Sequence, residues 1–362
     1  MTLINVENFT WLATRYARQW PFDTVVFDEC SLFRNPDSKR FKAARKIRPY
    51  TQTVFNLTAT PAPKSYLGLW SQVYLIDGGE RLGKNITAYR NKFFYKHYDG
   101  YTWLPKEGAK EQIQELIKDL IISLDPTDYM ELGPEPIHEY VKLEFPDDLR
   151  EEYDKLEKEY LLKKDGLSVV ALSEAAKATK LKQFCNGCIY AQSNDDENKK
   201  EVIDVHDLKI DALKQIIETM NGNPIIVAHE YKHERDKILK AFPQAKTMKQ
   251  FNQEKWDNGE IEILLIHPKS GGHGISLQHG GYTVAWYSTT IDLELYDQLN
   301  GRIGQLRQSQ SGYNRAPVYY HLYIDDTVEG DIAKKRQKKD VDQQGLINAI
   351  RSGMKSRVYI RT

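Results

Sequence analysis

DALKQIIETMNGNPIIVAHEYKHERDKILKAF, residues 211–242, is the stretch on which the fold class turns. DALKQIIETM (211–220) repeats apolar residues at helical intervals, NPIIVAH (223–229) is a short apolar run, and YKHERDKILKAF (231–242) returns to the helical pattern. Apolar residues three and four apart make one buried stripe on a helix, whereas a short β-branched run suits a strand covered on both faces. Downstream, IEILLIHP (261–268), YTVAWYS (282–288) and PVYYHLYI (317–324) add three more apolar runs of strand length. Helices alternating with such strands predict a parallel α/β sheet with helices on both faces.

The same grammar recurs near the N-terminus. TVVFDE (24–29) reads as a buried parallel strand ending in carboxylates, and QTVFNLTATPAP (52–63) as a second strand stopped by a Thr/Pro turn. Between them a basic stretch from Lys39 to Arg48 has helical spacing, and residues 107–124 have helical periodicity through Ile113, Leu116, Ile117, Leu120 and Ile121. The proline-punctuated stretch 125–148 reads as a linker or exposed connection, DDLREEYDKLEKEYLLKK (147–164) as a charged helix, and the polar run 193–201 as a loop. A basic helix is expected around Lys334 to Lys339.

Composition bounds the function classes. The chain has 362 residues, 40% hydrophobic, 28% charged and 11% aromatic, enough for two domains with real cores. No apolar run reaches the roughly 18–20 residues of a membrane span, and the first twenty residues lack the pattern of a signal peptide. Three cysteines argue against a disulfide scaffold, so the cytoplasm is the expected compartment. Lys plus Arg and Asp plus Glu both number 51, so any grip on nucleic acid must come from a locally basic cleft.

The chemistry-bearing residues fall in a definite order. Asp28 and Glu29 end an apolar strand; Thr58 and Thr60 follow another; SGGHGISLQ (270–278) and YDQLNGRI (296–303) come far downstream. Phosphoryl transfer from ATP needs a carboxylate for Mg²⁺, an oriented water and cations against the developing charge. An acidic pair alone is more often a plain strand-end turn, and SGGHG alone a solvent-exposed turn. In this order they resemble the Swi/Snf-like branch of superfamily-two helicases, in the compact form found in phage genomes. WPFDTVVFDECSLFRNPDSKRFKAAR resembles that family's second motif and LTATPAP its third. LWSQVYLIDGGERLGKNITAYRNKFF resembles the segment that follows, and LKQFCNG the signature before the second lobe. LLIHPKSGGHGISLQHGG resembles the fifth motif and LELYDQLNGRI the start of the sixth. The likeness runs from about residue 4 to 350.

The resemblance implies two RecA-like parallel-sheet lobes with a helical insertion: a first lobe at 1–135, N-terminally incomplete, the insertion at 136–205 and a second lobe at 206–362. It implies ATP and Mg²⁺ as cofactors and ATP-driven movement on nucleic acid, double-stranded DNA above all. Asp28 would hold the metal and Glu29 the attacking water; Thr58 and Thr60 would couple nucleotide state to lobe movement. Ser270, Gly271, Gly272, His273 and Gly274 would approach the nucleic-acid backbone or the lobe interface, glycine letting main-chain N–H groups reach phosphates. Gln298 and Arg302 would face ATP, with Arg302 as the arginine finger.

Three departures from the family pattern stand out. No phosphate-binding (Walker A) loop precedes Asp28, so the cradle would come from a segment outside the chain or from a separate polypeptide, and the first lobe's sheet would expose an edge. Gln305 stands where the family has a second arginine, with Arg307 nearby but two residues out of register. Cys30 and Ala59 are minor deviations. The alternative is a nucleic-acid-binding helicase remnant without hydrolysis of its own. GGERLGKN (78–85) mimics a phosphate loop, but Asn85 offers no hydroxyl to Mg²⁺, so a Gly-rich turn before a helix is expected and a small-molecule kinase built on Lys84 is a distant option. Cys185 and Cys188 have zinc-knuckle spacing but no second pair, so core packing is expected. The basic clusters 39–48 and 334–339 read as solvated helix faces, and Trp20, Trp70, Trp256 and Trp286 as core or lobe-interface residues.

Overall fold

The computed structural model describes residues 1–334 apart from 59–65, 99, 101, 123, 125, 160, 165–166, 171–173, 193–199, 272–274 and 291. The chain divides into two compact units, Met1–Leu124 and Asp125–Gln337. No helix among the described residues is long and apolar enough to cross a membrane.

In the first unit, helix α1 (Val6–Tyr16) leads to strand β1 (Thr24–Phe27), which pairs in parallel with β2 (Thr53–Asn56) through helix α2 (Lys39–Ile47). Ser38 starts α2 by accepting the Phe41 N–H on its side chain, supplying one of the orphan donors of a helix start. Phe41, Ala43, Ala44 and Ile47 turn inward, while Lys39, Lys42, Arg45 and Lys46 stay exposed, the solvated basic face expected for 39–48. Helices α3 (Leu69–Asp77) and α4 (Ile86–Phe93), the hairpin of β3 (Phe94–Lys96) and β4 (Trp103–Pro105), and α5 (Ala109–Ile117) complete the unit. The helix expected over 107–124 is therefore shorter at both ends.

The two N-terminal strands are less buried than their apolar runs suggest. Val25, Phe27 and Val54 face the core, but Val26 and Phe55 on the other face are each 55% exposed. Strand side chains alternate between faces, and here only one face of the pair carries helices. The expectation for an incomplete first lobe was an exposed edge; the exposed face was not foreseen.

The second unit is built on a six-stranded, wholly parallel sheet among the described residues, in the order β11-β12-β10-β13-β14-β5. Its strands are β5 (Ile137–Leu143), β10 (Ile225–Ala228), β11 (Lys246–Thr247), β12 (Ile263–Ile266), β13 (Thr283–Trp286) and β14 (Val318–Ile324). Alternate residues of the central strands feed two cores. Ile225, Val227, Ile263 and Leu265 pack with Leu213 and Ile216 of α8 (Leu208–Met220) and Ile238 of α9 (Lys232–Ala241). Ile226, Ala228, Leu264 and Ile266 pack on the opposite face with Trp256 of α10 (Gln253–Asp257) and Leu299 of α12 (Leu293–Gly301). This is the expected α/β architecture with covered faces. Trp20, Trp70, Trp256 and Trp286 are all core residues.

Residues 136–205 are more varied than a helical insertion. They contain α6 (Asp147–Glu159) and α7 (Glu174–Cys185), but also β5 and an antiparallel sheet of β6 (Leu161–Lys164), β7 (Leu167–Val170), β8 (Cys188–Gln192) and β9 (Lys200–Asp204). The helix read across 147–164 stops at Glu159, and LLKK pairs antiparallel with β7 as β6 instead. The proline-punctuated connection likewise hides a seven-residue strand. β5 pairs with β14 from Ile137↔Val318 to Leu143↔Ile324, and its residues are mostly exposed because it lies at the sheet edge. The unit ends with α11 (Pro268–Gly271) and α13 (Gln305–Gln310) flanking α12; the cluster beyond Lys334 lies outside the described residues.

Candidate functional site

Ligands of parallel α/β sheets bind at the carboxyl ends of the strands. In the first unit β1 and β2 finish on one edge. The Leu57 N–H donates to the Phe27 carbonyl at 2.9 Å and the Cys30 N–H donates to the Leu57 carbonyl at 2.9 Å, lacing the two strand ends together. Asp28 is exposed there and its Oδ1 accepts the Glu29 N–H at 3.1 Å. Glu29 sits in the left-handed region at φ 52°, ψ 55°, a conformation that costs a non-glycine residue on the order of 1 kcal/mol or more and concentrates at functional sites. Cys30 turns inward, its Sγ 3.2 Å from Gln72 Oε1, and so anchors the turn from below. Thr58, half-buried, follows Leu57 directly, so Asp28, Glu29 and Thr58 share one strand-end edge. Thr60 and Ala59 lie outside the described residues.

The Gly-rich decoy occupies a different setting. Gly78 caps α3 in the left-handed conformation, and the Asn85 side chain accepts the Ala88 N–H to start α4. A phosphate loop follows a strand; this segment joins two helices, and among the described residues Lys84 Nζ reaches the Gly78 carbonyl, at 3.4 Å.

In the second unit a cavity of about 240 Å³ opens over the ends of β10, β12 and β13. Lys182, His229, His267, Lys269, Ser288 and Thr290 line it. Burial lowers the pKa of His229 to about 4, helped by His267 opposite, and burial lowers His267 as well, so both imidazoles are neutral near pH 7. Lys182 pairs with Glu230 on the wall. Lys182, His229, His267, Lys269 and Ser288 lie within stretches quoted above, but none of these six residues was assigned a role from the sequence. His229, His267, Lys269, Ser288 and Thr290 share a positional signal, each lying within a few residues after an apolar strand, whereas Lys182 comes from α7. Ser270 is exposed at the rim and its hydroxyl donates to the His267 carbonyl at 2.8 Å. Gly271 ends α11, while Gly272, His273 and Gly274 lie outside the described residues.

Gln298 and Arg302 are one turn apart on and just after α12, both half-buried. Arg302 Nη1 donates to the Ile275 carbonyl at 3.3 Å, so the structure brings the arginine against the segment that leaves the Gly-rich stretch. Gln305 opens α13 and donates from Nε2 to the Gly133 carbonyl at 2.7 Å; Arg307 makes no side-chain hydrogen bond among the described residues.

Beneath the cavity lies a buried polar network. Lys209 Nζ donates to Asn186 Oδ1 at 2.6 Å, Glu329 Oε1 at 2.7 Å and the Tyr287 carbonyl at 2.8 Å. Asn186 Nδ2 donates to Glu234 Oε1 at 2.6 Å, and Glu234 Oε2 accepts the Glu230 and Tyr231 N–H groups at 2.8 and 3.0 Å. The loop after β10 is thereby tied to the LKQFCNG signature. Within that signature Cys185 and Cys188 are buried free thiols; burial raises both, Cys188 to about 12. Cys185 packs among Phe145, Leu181 and Phe184, the core role expected of it.

No family model matches the chain. It is 35% identical over 359 residues to protein p41 of Acyrthosiphon pisum secondary endosymbiont phage 1, covering 96% of this chain and 77% of that protein. The chain belongs to the p41 family. A second relative of the p41-family chain is an uncharacterized ATP-dependent helicase of Mycoplasma genitalium, 23% identical over 357 residues that make up 93% of this chain but 32% of the helicase. Among solved structures it is similar to the Sulfolobus solfataricus SWI2/SNF2 ATPase core in complex with dsDNA, at 19% identity, a TM-score of 0.37, and coverage of 93% and 73% of the two chains. The α/β assignment rests on the parallel sheets themselves.

Proposed function

We propose that the chain supplies the catalytic and coupling parts of an ATP-dependent nucleic-acid translocase of Swi/Snf-like type, acting on double-stranded DNA. The observation that carries this reading is the strand-end edge of the first unit, where backbone bonds among Phe27, Leu57 and Cys30 hold the strand ends that carry Asp28, Glu29 and Thr58, with Glu29 in a strained turn. The exposed Asp28 carboxyl fits a site for Mg²⁺, and Glu29 is the base or orienting group for water. Bound Mg²⁺ and ATP supply, respectively, charge neutralisation of the phosphates and the transferable phosphoryl group. Arg302, already held at the Ile275 carbonyl, is the cation offered to transition-state charge, with Gln298 beside it. Ser270 to Gly274 and the rim lysines meet the phosphate backbone, and Thr58 with Thr60 transmits nucleotide state. We assign the phosphate cradle to a Walker A segment outside residues 1–362, joined to the chain or supplied by another polypeptide. The distant likeness to a helicase over nearly the whole chain supports the same class. On this reading the domain roles are a first lobe at 1–135 and a second at 206–362, with 136–205 bracing the second.

A second reading has one observation in its favour. Gln305, in place of the second arginine, is committed to the Gly133 carbonyl and serves as a structural donor. The chain would then bind nucleic acid without turnover. DNA-stimulated ATP hydrolysis, measured with and without an added Walker A segment, separates the two. The motor reading expects turnover that Glu29→Gln lowers by about 10²-fold or more with DNA binding retained. DNA binding with no hydrolysis in either arrangement, or hydrolysis indifferent to Glu29→Gln, overturns it.

A further inference from the structure

The β3–β4 hairpin of the first unit carries exposed aromatic rings set among cations. Residues 90–110, from the end of α4 to the start of α5, hold Arg90, Lys92, Lys96, Lys106 and Lys110 against Asp99 and Glu107, a basic excess in a chain of formal net charge zero. Tyr98, at the turn, is 94% exposed and Tyr95 is 49% exposed. Half-buried Trp103 has the Arg90 guanidinium and the Lys96 ammonium each 5.7 Å from its ring centre. We propose that this hairpin binds an unpaired strand of nucleic acid, whose bases stack on Tyr98 and Tyr95 and whose phosphates meet Lys92 and Lys96. The site goes beyond the duplex translocase read above, stands on the first unit alone and needs no hydrolysis.

The fold accounts for the root of the hairpin but not for its tip. Phe94 is buried, and the Lys106 N–H donates to the Phe93 carbonyl at 2.9 Å, which fixes the base. Lys96 stands opposite Trp103 in the register. The His97 N–H donates to the Thr102 carbonyl at 2.8 Å and the Gly100 N–H to the His97 carbonyl at 3.0 Å, with Gly100 at φ +71°, so a left-handed glycine closes the turn. Tyr98 is thereby held out on a braced support, its ring centre 3.8 Å from that of His97. A single exposed ring needs no explanation. Here several rings share one short hairpin with cations, the combination by which proteins grip single strands.

The same features choose between occupants. A duplex keeps its base faces inside its own stack, whereas an unpaired base offers a face to any exposed ring. Lys92 and Lys96 are exposed and form no ion pair among the described residues, so their charge is open to phosphate. Elsewhere in the unit Arg81 is paired with Asp119 and Lys118 with Glu115. Lys96 is two residues, about 7 Å, along the strand from Tyr98, so ring and cation can serve one nucleotide. An acidic peptide would use the cations and leave the rings idle.

The test measures fluorescence anisotropy of labelled dT and U strands of about 15 nucleotides, and of a duplex of the same length, with the full chain and no ATP. Tyr98→Ala should weaken single-strand binding by about tenfold, leave duplex binding within about twofold, and leave the melting temperature unchanged. Tyr98→Phe keeps the ring and should match the parent. Lys92→Gln combined with Lys96→Gln should make the fall of log affinity with log salt shallower by about 1.4. An iodouracil-bearing strand, which couples on irradiation to a ring stacked on it, should attach within residues 94–103. A Tyr98→Ala loss confined to dT assigns the site to DNA, and one confined to U assigns it to RNA. Single-strand affinity unmoved by Tyr98→Ala, equal losses on strand and duplex, or coupling only outside the hairpin overturns the proposal and leaves the hairpin to a protein partner.

Discussion

Asn186 shows how much one side chain can organise. Fully buried, it receives Lys209, donates to Glu234, and offers its own carbonyl to the Tyr287 hydroxyl at 3.0 Å. Its neighbour Gly187 makes the turn that aims it. Gly187 has φ +86°, and a Cβ there would stand 2.3 Å from the His206 carbonyl oxygen, a backbone atom with no freedom to retreat. Gly187→Ala should therefore destabilise the second unit by about 1–3 kcal/mol or more, read as a lower urea midpoint with an unchanged slope. An unshifted midpoint would mean that the turn adopts another shape in solution. The contrast with Glu29 is informative. Both residues are left-handed, but glycine occupies its turn without strain, whereas a carboxylate bearer at the end of β1 is held there against its preference.

At the scale of elements, Lys209 joins pieces that share no sequence neighbourhood: α8, the turn after α7, the end of β13 and Glu329 beyond β14. Both ends of the Lys209–Glu329 pair are 0% exposed. Removing one partner leaves the other charge in a dry interior, so Lys209→Met should cost about 3–5 kcal/mol, while Lys209→Met with Glu329→Leu should recover much of the loss. Equilibrium unfolding of the two variants checks this, and equal losses would remove the pair as the cause. Which elements were legible follows the same physics. β10 and β12 announce themselves because a strand covered on both faces is apolar throughout, and β13 and β14 are apolar at nearly every position. β5 does not, since IHEYVKL at an exposed edge needs little apolar surface, and proline on either side reads as a connection. β6 was absorbed into the preceding helix because LLKK also fits a helix end. Asp28 and Glu29 in the first unit, and Gln298 and Arg302 in the second, were singled out from motif order. Lys182 and His229 were not, because one comes from α7 and the other follows β10, and no spacing along the chain encodes their meeting at one cavity.

Across the molecule, acid response should be dominated by buried imidazoles of the second unit. Burial lowers His206 to about 3, with Lys237 adding to the effect, and lowers His229 and His233 to about 4. An unfolded histidine protonates near pH 6.5, so the unfolded state takes up protons first. The stability these groups contribute is complete above about pH 6.5 and drains away as pH falls toward 4 and then 3, by at most about 1.4 kcal/mol per pH unit for each group. Melting temperature against pH should decline through that window, and His206→Leu, set between Phe145 and Phe184, should flatten the decline. A profile unchanged by the substitution would place the acid sensitivity elsewhere.

The edge strand β5 carries a consequence for synthesis. Its partner β14 emerges from the ribosome far later, since His138 and His321 are 183 positions apart. At roughly 5–20 residues per second, β5 waits on the order of ten to forty seconds for the strand that will hold it. Its mostly exposed, charge-bearing sequence is what such a wait demands, because an apolar ribbon left open that long would recruit other nascent chains.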